Sequence, residues 1–181
     1  MNKLYVFSGA SGVGKSTVLF QVMAKKPDLL FSVSATTRTP RPGEVDGQSY
    51  YFIDKERFQE MIREDAFVEY DEHMGNYYGT PKFQLDEKLE KGSVLLDIEP
   101  NGAFNVKRWR PDAVLIFIAP PSPEELERRL RSRGDTSEEQ IRIRQDRVRW
   151  EMEQSKKYDH VVINDRVEAC VEEILKIMDN K

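Results

Sequence analysis

Leu4-Tyr5-Val6-Phe7-Ser8-Gly9-Ala10-Ser11-Gly12-Val13-Gly14-Lys15-Ser16-Thr17 decides the fold. Four apolar residues read as a buried strand, Gly9 to Gly14 as a tight loop, and Lys15-Ser16-Thr17 as the first turn of a helix that continues through Val18-Leu19-Phe20-Gln21-Val22-Met23. The spacing G-x4-G-K-S is that of a phosphate-binding loop. In such a loop backbone N–H groups at a helix N-terminus wrap a phosphate, the lysine adds a point charge and the serine hydroxyl serves Mg²⁺. Glycine is required where the loop must turn through positive φ or let a phosphate come close to the backbone. Gly9, Ala10, Ser11, Gly12, Val13, Gly14, Lys15, Ser16 and Thr17 are therefore the first candidate binding residues.

The remaining chain must supply a sheet around that strand. Its 181 residues, 39% apolar and 33% charged, bury one substantial core and exclude disorder. No apolar run approaches the roughly 20 residues of a bilayer span, and the N-terminus enters a strand directly, so a cytoplasmic protein is expected. The formal charge of −4 argues against general attraction to nucleic acid or membrane, so any polyanion must be captured by a local cluster. Cys170 sits at helical spacing with Val167, Val171 and Ile174 as a small buried side chain. One cysteine and two histidines make no structural zinc site. His160, which opens an apolar strand, reads as structural.

In order, Lys25-Lys26-Pro27-Asp28 ends the first helix, and Leu30 to Ser34 reads as a short strand. The following loop holds Arg38 and Arg41, the latter between prolines. It reads either as a stiffened anion clamp or as a solvated basic loop. Gln48 to Thr80 has the aromatic density and short alternation of a small antiparallel sheet, with a helix from Asp54 to about Asp65. Pro81 to Lys91 is helical and stops at Gly92. Ser93 to Glu99 reads as a central strand ending in two carboxylates, Asp97 and Glu99, at the end where α/β sheets collect their ligands.

A helix from about Gly102 to Trp109 and an apolar strand from Asp112 to Ala119 follow. Ser122-Pro123-Glu124-Glu125 is a helix start in which Ser122 caps and Glu125 reaches back. Eight arginines lie from Arg128 to Arg149, around a break at Gly134-Asp135-Thr136-Ser137, with a second capping box from Thr136 to Glu139. Two arginine-studded helices on a glycine hinge read as a lid, although several of these charges also suit exposed i,i+4 pairs. Tyr158 to Asp165 gives a last strand, and Val167 to Met178 an amphipathic helix.

Taken together, these motifs resemble the guanylate kinase family over nearly the whole chain: the phosphate loop, Phe31 to Gly47 with Arg38 and Arg41, Gly75-Asn76-Tyr77-Tyr78-Gly79-Thr80, and Arg129 to Gly134 with Arg144. The resemblance implies a P-loop NTPase-type α/β fold, a parallel sheet core flanked by helices. An inserted mixed or antiparallel GMP-binding region and a helical lid complete it. The expected single domain has its core at about 1–33, 81–126 and 149–181, the GMP-binding region at about 34–80 and the lid at about 127–148. The implied activity is phosphorylation of GMP, and of dGMP, by ATP with Mg²⁺, through direct in-line transfer without a histidine base or covalent intermediate.

By the same resemblance Arg38, Arg41, Tyr50 and Tyr78 would bind the GMP phosphate, and Ser34, Glu69 and Thr80 would read guanine. Asp97 and Glu99 would lie near the ribose and metal, with Ser16 and Asp97 as metal ligands. Lys15, Arg129, Arg133 and Arg144 would hold the transferring phosphoryl group, and Asn164 would lie beside the donor adenine. Guanine suits that set, since one carboxylate accepts its two adjacent N–H donors and hydroxyls donate to O6. The partners implied are small molecules, GMP or dGMP and ATP, with no nucleic acid and no membrane, in a monomer or small homo-oligomer. Asp97-Ile98-Glu99-Pro100-Asn101 departs from the family's usual ending in glutamine. A phosphopeptide-binding module and a kinase of another small metabolite stand as the alternatives.

Overall fold

The structure is a computed structural model that describes residues 2–73, 75–122, 124–126, 128 and 138–179. The side chains of 73, 138–142 and 144 are not among those described. The chain divides into two compact units, Met1–Val6 with Asp28–Val114, and Phe7–Pro27 with Leu115–Lys181. Strand β1 (Leu4–Gly9) is common to both, its first half in one and its second half in the other.

The first unit carries most of the strands. β2 (Leu30–Phe31) pairs parallel with β7 (Val94–Asp97), in the register Leu30↔Val94. A second sheet has the order β4-β3-β6-β5, made of β3 (Ala35–Thr36), β4 (Tyr51–Phe52), β5 (Phe67–His73) and β6 (Asn76–Pro81). It is mixed, with β3 parallel to β4 but antiparallel to β6. Helices α1 (Lys15–Lys25), α2 (Lys55–Arg63), α3 (Lys82–Lys91) and α4 (Pro100–Trp109) precede the last strands in the chain.

Of the expected strand Leu30 to Ser34 only Leu30–Phe31 forms, as β2; the next strand, β3 of the other sheet, begins at Ala35, where the sequence reads as loop. Apolar texture does not say which sheet a residue joins. The crossing at Ser32-Val33 is held by the Gln84 side chain of α3, whose Oε1 accepts from Ser32 Oγ at 3.2 Å and from Val33 N–H at 2.9 Å. Helix α2 starts as its sequence demands, with the Asp54 carboxylate accepting from Arg57 N–H at 2.7 Å. Under the mixed sheet Phe58 stacks on Phe67 with centroids 4.4 Å apart and on Tyr77 at 5.3 Å, beside buried Ala35 and Met61.

The second unit contains α1, β8 (Val114–Ala119), α5 (Glu138–Ser155), β9 (His160–Ile163) and α6 (Val167–Asp179). β8 and β9 run parallel, in the register Phe117↔Val161, and the larger sheet has the order β2-β7-β1-β8-β9. β8 reads as the sequence expected, with Leu115 to Ala119 fully buried. On α1 the buried stripe is Val18, Leu19 and Val22, whereas Phe20 is 76% exposed and faces away from it. Cys170 of α6 is buried among Val171 and Ile174, and burial pushes its thiol up to about 11. Ser122 Oγ accepts from Glu125 N–H at 3.1 Å, the expected cap, while the Glu125 carboxylate takes Arg128 at 2.7 Å. Arg129, Arg133, Pro123 and the helix start at Thr136 lie outside the described residues. No helix among the described residues is long and apolar enough to cross a membrane.

Candidate functional site

In the second unit the loop after β1 has the geometry its glycines require. Gly12 and Gly14 take φ of 85° and 90°, left-handed values that a side chain would strain. Gly9 is closed in differently, since a Cβ there would stand 2.9 Å from the Ile118 carbonyl oxygen. Gly14 is the N-cap of α1 and no side chain caps the helix; its first turn holds no acid. An anion there meets helix-end amides with no carboxylate of the first turn to compete. Lys15 is half-buried, and Ser16 and Thr17 are exposed.

Two side chains from distant segments hold this loop. Asn164, after β9 and buried, donates from Nδ2 to the Val13 carbonyl at 2.7 Å. Glu151 of α5 accepts from Ser11 N–H at 2.8 Å through Oε2, and from Arg147 Nε at 3.0 Å through Oε1. Sequence reasoning missed Glu151 because it is 140 residues from Ser11. Arg144 belongs to α5 by its backbone, and its side chain is outside the described set.

In the first unit Glu69 of β5 is 7% exposed and accepts from the Thr80 hydroxyl at 2.6 Å. The two face each other in the β5–β6 register, next to a bulge between Phe67 and Glu69. That irregularity lets Phe67 and Tyr70 meet on the aromatic face, centroids 6.2 Å apart, while Glu69 turns to Thr80. Burial drives the Glu69 carboxyl up to about 7, with Thr80 pulling it down and Asp71 adding a smaller push upward. Helix α4 closes over it, and a Cβ on Gly102 would fall 2.5 Å from Oε2. Ser34 immediately precedes β3, whose Ala35 pairs with Gly79, so it lies in line with Thr80.

Arg38 is the centre of the anion-binding candidates. Its Nη2 donates to Glu44 Oε1 at 2.8 Å, its Nη1 to the Thr39 carbonyl at 2.7 Å, and its guanidinium lies 5.4 Å from the Tyr50 ring centroid. Tyr50 meets Tyr78 edge-on at 6.0 Å. Burial raises the Tyr50 phenol, with the Asp97 charge a second cause. Arg41 opens a turn closed by Glu44 N–H to Arg41 O at 3.0 Å, with Gly43 at φ 88°, the geometry of a Pro-Gly type II turn. The turn returns the Glu44 carboxylate to Arg41 N–H at 2.7 Å. The clamp reading of this loop therefore gains a residue, Glu44, that the sequence reading passed over.

Asp97 ends β7 half-buried. Glu99 is exposed and caps α4 by position, with Pro100 in the first turn and Ala103 N–H donating to Glu99 O at 3.0 Å. The helix begins at Pro100 and not at about Gly102, because proline's fixed φ suits the first helical position. Among the described residues no three His, Cys, Asp or Glu stand together as a metal cluster. Ser16 and Asp97 are nonetheless oxygen donors of the kind Mg²⁺ takes, one or two from protein and the rest from phosphate and water.

A sequence model described as guanylate kinase matches residues 1–181. Curated relatives include a guanylate kinase of Thermus thermophilus, 49% identical over 97% of this chain and 80% of that one, and one of Prochlorococcus marinus, 46% identical over 98% and 97%. The crystal structure of guanylate kinase from Anaplasma phagocytophilum superposes with a TM-score of 0.79 at 32% identity, covering 98% of this chain and 84% of that chain. The chain is a member of the guanylate kinase family.

Proposed function

We propose that this chain transfers the γ-phosphoryl group of ATP directly to the phosphate of GMP, giving GDP and ADP, and accepts dGMP in the same way. The observation that carries this reading is the buried Glu69–Thr80 pair, in one unit with Arg38, Tyr50 and Tyr78. A buried carboxylate bonded to a hydroxyl, with an aromatic-backed arginine in the loop that leaves β3, suits a guanine edge and a phosphate together. Glu69 accepts the two N–H donors of guanine, Ser34 and Thr80 hydroxyls serve its O6, and Arg38 and Arg41 with Tyr50 and Tyr78 take the phosphate. Adenine would leave these buried groups mispaired, which disfavours the wrong base by as much as ~10⁴-fold.

The loop Gly9 to Thr17 takes the donor phosphates through its amides and Lys15, with Asn164 beside the adenine end. Phosphoryl transfer asks the protein for alignment and positive charge on the equatorial oxygens. Lys15 supplies that charge, together with Arg129, Arg133 and Arg144 of the proposed lid at about 127–148. Mg²⁺, held by Ser16 and Asp97 with the nucleotide oxygens, would neutralise charge developing on the phosphates, and Glu99 lies toward the ribose. The division into a core at about 1–33, 81–126 and 149–181 and a GMP-binding region at about 34–80 belongs to the same reading. So do a cytoplasmic location and a monomer or small homo-oligomer that engages neither nucleic acid nor membrane.

Mixing the protein with ATP, Mg²⁺ and, in parallel, GMP, dGMP, AMP, UMP and ribose phosphate tests it. ADP should form with GMP and dGMP alone, and GMP left unchanged would overturn the reading. Lys15→Ala should lower turnover by roughly 10²-fold or more with GMP binding retained.

A further inference from the structure

We propose that Glu151 is a positioning residue for the ATP phosphates, acting through the backbone of the phosphate loop. The proposal rests on the reading of Gly9 to Thr17 as the ATP site. Glu151 is 1% exposed, a degree of burial rare for a carboxylate without partners. The partners it has are informative: the Ser11 amide at 2.8 Å on one oxygen and Arg147 Nε at 3.0 Å on the other. Both are donors, so the residue between them must accept on both sides.

Ser11 N–H sits immediately before Gly12, one of the loop's two left-handed glycines, at φ 85°, and Asn164 holds the Val13 carbonyl just after it at 2.7 Å. The loop is thus pinned on both sides of Gly12. One pin is an amide donor aimed at a carbonyl; the other is a carboxylate aimed at an amide. With both in place the remaining amides converge without first having to be ordered, so less entropy is lost when phosphate binds. Glu151 also belongs to α5, the helix that contains Arg144 seven residues earlier. The same contact therefore fixes that arginine helix against the loop whose ligand it is proposed to grip.

A glutamine at 151 has the same shape but one acceptor and one donor, so either Ser11 N–H or Arg147 would face an N–H group at a buried position. Binding of ATP and of GMP, each measured separately by titration calorimetry, gives the test. Glu151→Gln should weaken ATP about tenfold and leave GMP within about twofold, and Glu151→Asp, which keeps two acceptors, should recover part of the loss. Unchanged ATP affinity, or equal losses for ATP and GMP, overturns the proposal. Should Glu151→Gln fail to fold, Arg147→Met keeps the carboxylate and removes one partner; ATP weakened while GMP is not supports the proposal, and any other result overturns it. If the wild-type protein itself binds no ATP, the proposed function fails first, and the two failures are thereby distinguished.

Discussion

Gly102 of α4 lies so near Glu69 of β5 that a methyl group on its Cα would stand 2.5 Å from Oε2 and 3.0 Å from Cδ. Inside a helix glycine costs roughly 1 kcal/mol against alanine, so its presence here has to be explained by space. The missing side chain lets α4 press its backbone onto the carboxylate and fix its direction. Gly102→Ala should therefore displace Glu69 and raise the KM for GMP about tenfold or more, since a mispaired buried carboxylate loses its share of guanine recognition. The KM for ATP should be unaltered. Steady-state kinetics with each nucleotide varied in turn checks this, and an unchanged GMP KM would contradict it.

Burial raises the Glu69 carboxyl from its usual 4.5 to about 7, so in the absence of ligand the protonated form is favoured at mildly acidic pH. The folded value lies above the unfolded one. The stability that this group supports is therefore complete below about pH 4.5 and is lost as pH climbs through about 7, a change on the order of 3 kcal/mol. Guanine asks for the opposite form, because two N–H donors need an ionised acceptor. GMP affinity should then rise about tenfold from pH 6 to pH 8, with a proton released on binding. Calorimetry in buffers of different ionisation heat measures that proton. Ionisation of the GMP phosphate is common to wild type and Glu69→Gln, so the difference between their profiles isolates this carboxyl; identical profiles would refute the assignment.

Glu44 joins the Arg38 guanidinium at 2.8 Å to the backbone amide of Arg41 at 2.7 Å, tying the two arginines of the loop together through one carboxylate. Glu44→Ala would release the Arg38 side chain and the Arg41 backbone, and the Arg38 side chain would then have to be ordered by the phosphate itself, at a cost of about 1 kcal/mol for one long side chain immobilised. The expected result is a GMP KM about fivefold higher with the ATP KM unchanged. Tighter GMP binding would mean instead that Glu44 competes with phosphate for Arg38.

The sequence was most informative where one residue type has only one physical use. Gly12 and Gly14 announced positive φ, and both have it; Asp54 and Ser122 announced helix starts, and both caps form. Glu69 and Thr80 were paired in the sequence only through the resemblance to the guanylate kinase family, and the structure adds the hydrogen bond that joins them. What stayed hidden depends on chain segments meeting late. Gly102 matters only because α4 folds onto β5, Glu151 only because α5 returns to the loop, and Glu44 only because the Pro42-Gly43 turn folds its carboxylate back. Leu30 to Ser34 reads as one strand since apolar texture cannot say that Gln84 hands the chain from one sheet to another. The sequence places the start of α4 two residues late because proline suits a loop as well as the first position of a helix.

Strand β6 divides its labour between neighbours. Tyr77 stacks on Phe58, and Gly79 leaves room for Phe67, where a Cβ would meet its ring at 2.9 Å. Tyr78 and Thr80, one position along from each, serve Tyr50 and Glu69. Because strand side chains alternate, losing or gaining a single residue within Asn76–Pro81 would swap the two sets outright, sending Tyr78 into the aromatic stack and a bare glycine toward the Glu69 carboxylate. Natural variation in length within this hairpin should accordingly be confined to the turn at Gly75, and the spacing from Tyr77 to Thr80 should admit changes of side chain but none of count.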